Sequence, residues 1–137
     1  LPTPATVRDA PLASGALRLR GYTLPRTQLR PGERFGLALV WQSLQKIEGD
    51  LSAHVRLADA QGRVLAEQTL ALGAPEHGTH TWQEGEISEH NFAFTLPAGA
   101  PAGPAALTVE LRDQRGQPLP FRDGTTPLPI ADLTVVR

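Results

Sequence analysis

The sequence predicts an all-β protein built from two packed antiparallel sheets, and three observations predict it. Apolar side chains alternate with polar ones in short segments, as at Phe35, Leu37, Leu39 and Trp41, and successive side chains of a strand point to opposite faces. Turn residues separate these segments, among them many of the 13 Gly and 13 Pro. No segment shows the helical period of about 3.6 residues. The class is therefore a β-sandwich.

Each alternating segment predicts one strand. In chain order the segments are 16–22, 33–43, 51–59, 63–72, 86–96, 105–113 and 130–136. Pro31-Gly32 starts the second segment, and the turn Asp59-Ala60-Gln61-Gly62 joins the third and fourth as a hairpin. Seven to eight strands at this spacing favour an immunoglobulin-like antiparallel β-sandwich. The chain has no cysteine, so Trp41 is expected to pack on aliphatic side chains alone.

Residues 1–15 are predicted to be a linker or an edge segment, and residues 16–137 a single β-sandwich domain. The first segment carries Pro2, Pro4 and Pro11 and shows no alternation. Proline cannot donate a hydrogen bond to a strand ladder. A chain of 137 residues is long enough to bury one hydrophobic core.

Composition excludes several classes of function. Basic and acidic residues number 13 and 14 and are interspersed, so no nucleic-acid partner is expected. Without cysteine there is no disulfide, no thiolate nucleophile and no cysteine-based zinc site. No apolar run approaches the ~20 residues that span a bilayer, so no membrane insertion by this fragment is expected. The start at Leu1 and the lack of methionine suggest a domain of a larger protein.

One cluster has the residue types of a metal site. His77, His80 and Glu86 lie close in sequence, and zinc binds two histidines and a carboxylate well. They fall in a loop, where a spacing of three residues fixes no common face, and solvated loop residues are the more common interpretation. A small metal-dependent hydrolase using these three residues is an alternative. No Ser lies in a Gly-x-Ser-x-Gly motif, so no catalytic residue, metal or cofactor is predicted.

Trp82 marks a candidate binding site. An exposed tryptophan can stack on a sugar ring while nearby polar groups bind its hydroxyls. On this hypothesis the ligand-binding residues are Trp82, Glu84, Glu86, His77 and His80. The competing interpretation is that Trp82 covers one end of the sandwich.

Several motifs carry a resemblance when they are taken in order. They are Gly-Tyr-Thr-Leu at 21–24, Leu-Arg-Pro-Gly-Glu at 29–33, Leu-Ala-Leu-Val-Trp-Gln at 37–42, Asp-Ala-Gln-Gly-Arg-Val at 59–64, Trp-Gln-Glu-Gly-Glu at 82–86 and Leu-Pro-Ala-Gly-Ala-Pro-Ala-Gly at 96–103. Together they resemble the soluble β-sandwich domain that follows the membrane region of bacterial glycosyltransferase-like proteins of the polyprenyl-phosphate-sugar type. The resemblance implies an extracytoplasmic, non-catalytic domain in the periplasm or at the cell surface, tethered through a parent membrane protein.

The expected function is therefore that of an immunoglobulin-like accessory module of a larger bacterial cell-envelope protein. It would contact carbohydrate or neighbouring domains of the parent protein through its end loops, chiefly 73–86, since loops on a rigid sandwich commonly carry recognition. A second alternative is a protein-interaction or inhibitor domain that acts by pairing through an exposed edge strand.

Overall fold

The computed structural model describes residues 2–73 and 75–137. Leu1, in the predicted 1–15 segment, and Ala74, in the 73–86 loop, lie outside the described residues. In the described ranges, eight strands have six residues or more: β1 Thr6–Pro11, β2 Leu17–Thr23, β4 Arg34–Ser43, β5 Ser52–Asp59, β6 Val64–Ala71, β7 Ile87–Thr95, β8 Gly103–Arg112 and β10 Leu128–Val135. Two shorter strands are β3 Gln28–Leu29 and β9 Pro118–Leu119, and a 3-10 turn covers Thr79–Thr81.

The strands form two sheets, which confirms the all-β sandwich. The first sheet has the order β1-β2-β4-β7, and the second has the order β3-β10-β8-β5-β6, with β9 paired to β8. Neighbouring strands are antiparallel except for β3 and β10, which are parallel. The chain leaves the first sheet after β2 and reaches the last strand, where the N–H of Thr134 donates to the carbonyl of Thr27 at 2.8 Å.

All seven predicted strands are present, and β1 lies in the segment that showed no alternation. Its pairing with β2 shifts register between Val7 and Ala10. Such a bulge inserts an extra residue and breaks the two-residue period that sequence patterns rely on. The alternation therefore did not reveal β1, which runs from Thr6 to Pro11 and forms an edge of the first sheet.

The core lies between the two sheets. The predicted inward face of β4 is confirmed, since Phe35, Leu37, Leu39 and Trp41 are all buried. Buried aliphatic side chains of β5 and β8, such as Val55 and Leu107, belong to the same cluster. Full burial of a large apolar side chain contributes about 1.5–3 kcal/mol, so each of these four side chains stabilises the fold.

The pairing brings three connections to one end of the sandwich. Gln42 near the end of β4 pairs with Ile87 at the start of β7, while Ser52 of β5 pairs with both Ala71 and Arg112. Residues 44–51, 72–73, 75–86 and 113–117 therefore lie at the same end, which is called the loop end below. No helix in the described ranges is long and apolar enough to cross a membrane.

Candidate functional site

Thr79 attaches the 73–86 loop to the connection that precedes β5. Its side chain is completely buried, and Oγ1 donates to the carbonyl of Gly49 at 2.8 Å while accepting from the N–H of Leu51 at 2.9 Å. The hydroxyl thus satisfies two backbone groups at once, which holds the two loops of the loop end together. Nothing in the local sequence distinguishes this threonine from an exposed one.

His80 is held by Asp50 from the neighbouring loop. Both the backbone N–H of His80, at 3.2 Å, and its Nδ1, at 2.5 Å, contact Oδ1 of Asp50. The carbonyl of His80 accepts a hydrogen bond from Nζ of Lys46 at 2.6 Å. The hydrogen bonds from His80 lower the pKa of the Asp50 carboxyl below its usual value. Both side chains are about half exposed, at 53% and 48%, so the pair faces solvent.

His77 forms a second pair with Glu86. The distance from Nε2 of His77 to Oε2 of Glu86 is 2.5 Å, and Oε1 of Glu86 accepts the N–H of Gln83 at 3.1 Å. Partial desolvation raises the pKa of Glu86, but the hydrogen bonds from His77 and Gln83 outweigh it and leave that pKa below its usual value. The carboxylate is therefore ionised at neutral pH and stabilises the turn before β7.

These two pairs correct the metal hypothesis. His77 precedes the 3-10 turn and contacts Glu86, whereas His80 lies within the turn and contacts Asp50. The three predicted ligands His77, His80 and Glu86 do not converge, and among the described residues no group of three His, Cys, Asp or Glu side chains could hold a metal ion. A metal-dependent hydrolase built on these residues is wrong, because the turn directs the two imidazoles to different partners.

Trp82 does not offer an exposed ring for stacking. Only 3% of its surface is accessible, and its Nε1 donates to the carbonyl of His77 at 3.0 Å. The indole lies over the ring of His90, with a centroid distance of 6.2 Å and an interplanar angle of 19°. The hypothesis of direct sugar stacking is therefore wrong for Trp82, which covers the end of the core, as the competing interpretation expected.

The last predicted site residue, Glu84, is exposed in the turn before β7. Ser43 supports that turn: its Oγ donates to the carbonyl of Gln83 and accepts the N–H of Glu86 at 3.1 Å. Ser43 is fully buried, and sequence reasoning missed its role because it simply continues the inward alternation of β4. The turn therefore presents Glu84 from a fixed backbone.

Thr81 lies beside His77 at the loop end. Thr81 Oγ1 lies 3.1 Å from Nδ1 of His77, which approximates a nucleophile beside a base. However, the same hydroxyl also lies 2.7 Å from the carbonyl of Gly78, and a hydroxyl has only one proton to donate. A general base must reach the proton that it removes. The carbonyl of Gly78 therefore competes with His77 for the proton of Thr81.

Comparison with known proteins shows that this chain is similar in fold to several solved structures. No protein-family model matches the sequence, and no curated protein matches it significantly. Among solved structures, the chain resembles the C-terminal domain of Wzt with a TM-score of 0.59 and 10% identity, covering 89% of this chain and 74% of that one. It also resembles the CARDB domain of the PF1109 protein from Pyrococcus furiosus, solved in complex with di-metal ions, with a TM-score of 0.52 and 12% identity over 98% and 95% of the two chains.

A third similar structure is a much longer protein. The alkylpurine DNA glycosylase AlkC of Pseudomonas fluorescens matches with a TM-score of 0.55 and 12% identity, covering 89% of this chain but 31% of the glycosylase. At such identities the similarity reports the fold and not the function. The comparisons therefore show that the chain has a β-sandwich fold that also occurs as a part of larger proteins.

Proposed function

We propose that the chain is a non-catalytic accessory module of a larger bacterial cell-envelope protein, located outside the cytoplasm. Its loop end contacts carbohydrate or a neighbouring domain of the parent protein. The observation that carries the proposal is the pair of contacts His80–Asp50 and His77–Glu86. They fix the 75–86 segment on the sandwich and leave polar side chains facing solvent.

Rigidity is what makes this surface suitable for recognition. Binding is weakened when loops and long side chains must be ordered on contact. Here Thr79 and Trp82 are already buried and hydrogen bonded, so residues 79–82 are held in place before any ligand arrives. His77 and His80 remain 51% and 53% exposed, so their rings are accessible to a ligand.

Burial of Trp82 changes the form of carbohydrate contact that we propose. Imidazole and carboxylate groups bind sugar hydroxyls through hydrogen bonds, and Glu84 is exposed in the turn before β7. The resemblance to domains of envelope glycosyltransferase-like proteins supports carbohydrate as the first ligand class to test. A neighbouring domain of the parent protein is the second, because polar loop surfaces also form interfaces within larger chains.

A glycan array tests the proposal with the domain and three variants. His80→Ala and Glu84→Ala remove candidate contacts, and Gln61→Ala changes an exposed polar residue in the β5–β6 turn. We expect binding to be lost in the first two variants and retained in Gln61→Ala. If no glycan binds, cross-linking of the parent protein should join the loop end to another domain. Failure of both experiments contradicts a role for the loop end.

Pairing through an edge strand is a second candidate function, favoured by one observation. β1 lies at the edge of the first sheet, and Val7 within it is 80% exposed. An extended segment of another protein could add to this edge. Sedimentation with candidate partners should then show a complex that Val7→Lys weakens, whereas a domain that stays monomeric and captures no strand contradicts this candidate.

A further inference from the structure

Two arginines share one neutral acceptor on the outer face of the first sheet. Arg18 donates to Oε1 of Gln42 through Nε at 3.0 Å and Nη2 at 2.7 Å. Arg20 donates to the same oxygen through Nη1 at 3.0 Å. Two guanidinium cations are therefore held side by side on an uncharged amide.

The backbone sets this arrangement. The register of β2 against β4 shifts between Leu19 and Gly21, which makes Arg20 the additional residue of a bulge, and bulges redirect side chains. Gln42 is itself oriented by the 73–86 loop, because its Nε2 donates to the carbonyl of Gly85 at 3.3 Å. The two cations are thus positioned by the fold.

The charge of this arginine pair is incompletely balanced. Asp9 approaches Arg18 at 3.5 Å, between Oδ1 and Nη1, and is 61% exposed. No carboxylate forms an ion pair with Arg20 among the residues that the structure describes. Both arginines are partly buried, and like charges in a partly desolvated position repel one another more strongly than in water. A bound anion would relieve this repulsion.

A shallow cleft of about 120 Å³ opens over the pair, lined by Val7, Asp9, Arg18 and Arg20. We propose that this cleft binds the carboxylate group of a small ligand. The planar guanidinium group presents five N–H donors in a fork that matches two carboxylate oxygens, and Arg20 uses one of its donors for Gln42. Val7 supplies an apolar wall for the carbon atoms next to the carboxylate. The proposal does not depend on the function proposed for the loop end.

A titration of the intact domain with sodium acetate tests this site. Binding is followed through the NMR chemical shifts of the backbone amides, and sodium chloride at equal ionic strength is the reference. We expect saturable changes in the amide chemical shifts of the cleft residues Val7, Asp9, Arg18 and Arg20 with acetate and not with chloride. Arg20→Gln should weaken acetate binding about tenfold, as expected for loss of a hydrogen bond to a charged group. The matched control is Arg56→Gln, which changes an exposed arginine on the second sheet that is paired with Glu67 and should bind acetate as the parent does.

Asp9→Asn is expected to increase the affinity for acetate, whereas a folding defect would decrease it. It removes the resident carboxylate beside Arg18, so acetate should bind several-fold more tightly. Equal shifts with chloride, unchanged affinity in Arg20→Gln, or weaker binding in Asp9→Asn would each overturn the proposal. Inorganic phosphate is titrated in parallel, and shifts with phosphate but none with acetate would overturn the assignment to a carboxylate.

Discussion

The imidazole of His90 accepts a hydrogen bond from the backbone N–H of Gly73, with 2.7 Å between Nε2 and N. Because Nε2 accepts, the ring must be neutral and carry its proton on Nδ1, a buried atom without a hydrogen-bond partner. Trp82 stacks on the same ring. His90 therefore connects the beginning of the 73–86 loop to the tryptophan that covers the core.

This contact predicts a loss of stability in mild acid. Burial lowers the pKa of His90 below its ordinary value of 6.5, against a smaller opposing effect of Glu89. The unfolded chain then binds more protons than the folded one, so stability is complete above about pH 6.5 and falls as the pH decreases through the folded pKa.

Urea unfolding at pH 7.5 and pH 5.5 measures the effect. His90→Gln, which retains an acceptor but cannot be protonated, should lose less stability between the two values than the parent. His54, whose pKa is also lowered by burial, should preserve a residual pH dependence. Equal losses for the parent and His90→Gln would exclude His90 as the source.

Trp82 should contribute mainly through burial. Trp82→Ala is expected to lower the free energy of unfolding by about 3–5 kcal/mol, as for other large buried aromatic residues. Trp82→Phe keeps most of the apolar surface and loses the hydrogen bond from Nε1 to His77. Thermal unfolding should show a much smaller effect for Trp82→Phe, and comparable destabilisation by both variants would contradict a role in covering the core.

Thr79 should be sensitive to loss of its hydroxyl and not to loss of its methyl group. Thr79→Val leaves the N–H of Leu51 and the carbonyl of Gly49 without their partner in a buried position. Each unsatisfied buried group costs about 1–3 kcal/mol. Thr79→Ser retains both hydrogen bonds and is the control. Urea unfolding of both variants measures the free energy of unfolding, and a smaller decrease for Thr79→Val than for Thr79→Ser would contradict this prediction.

Gly73 and Gly62 form a matched pair for testing how tightly the 73–86 loop packs. Both have a positive φ, +86° and +81°, so alanine at either position is strained by about 1–2 kcal/mol. A Cβ at Gly62 would meet no atom within 4 Å, whereas one at Gly73 would collide with the backbone carbonyl of His77. Gly73→Ala should therefore lower the melting temperature markedly more than Gly62→Ala, and similar decreases would indicate a loosely packed loop.

The sequence by itself determined the class of fold and the inward face of β4. Alternation is a local property, because side-chain direction in a strand reverses at every residue. The alternate residues Phe35, Leu37, Leu39 and Trp41 could therefore be placed in the core without knowledge of the strands that pair with β4. The same reasoning failed at β1, where the bulge between Val7 and Ala10 interrupts the period.

The tertiary structure alone decided what the polar and loop residues do. His80 contacts Asp50 across 30 residues of sequence, and Arg20 meets Gln42 across 22. Loops have no period that fixes the direction of a side chain, so the sequence permitted Trp82 to be either exposed or buried. Its burial follows from the space left between the sheets at the loop end, which exists only once β4 and β7 have paired and the second sheet has packed on them.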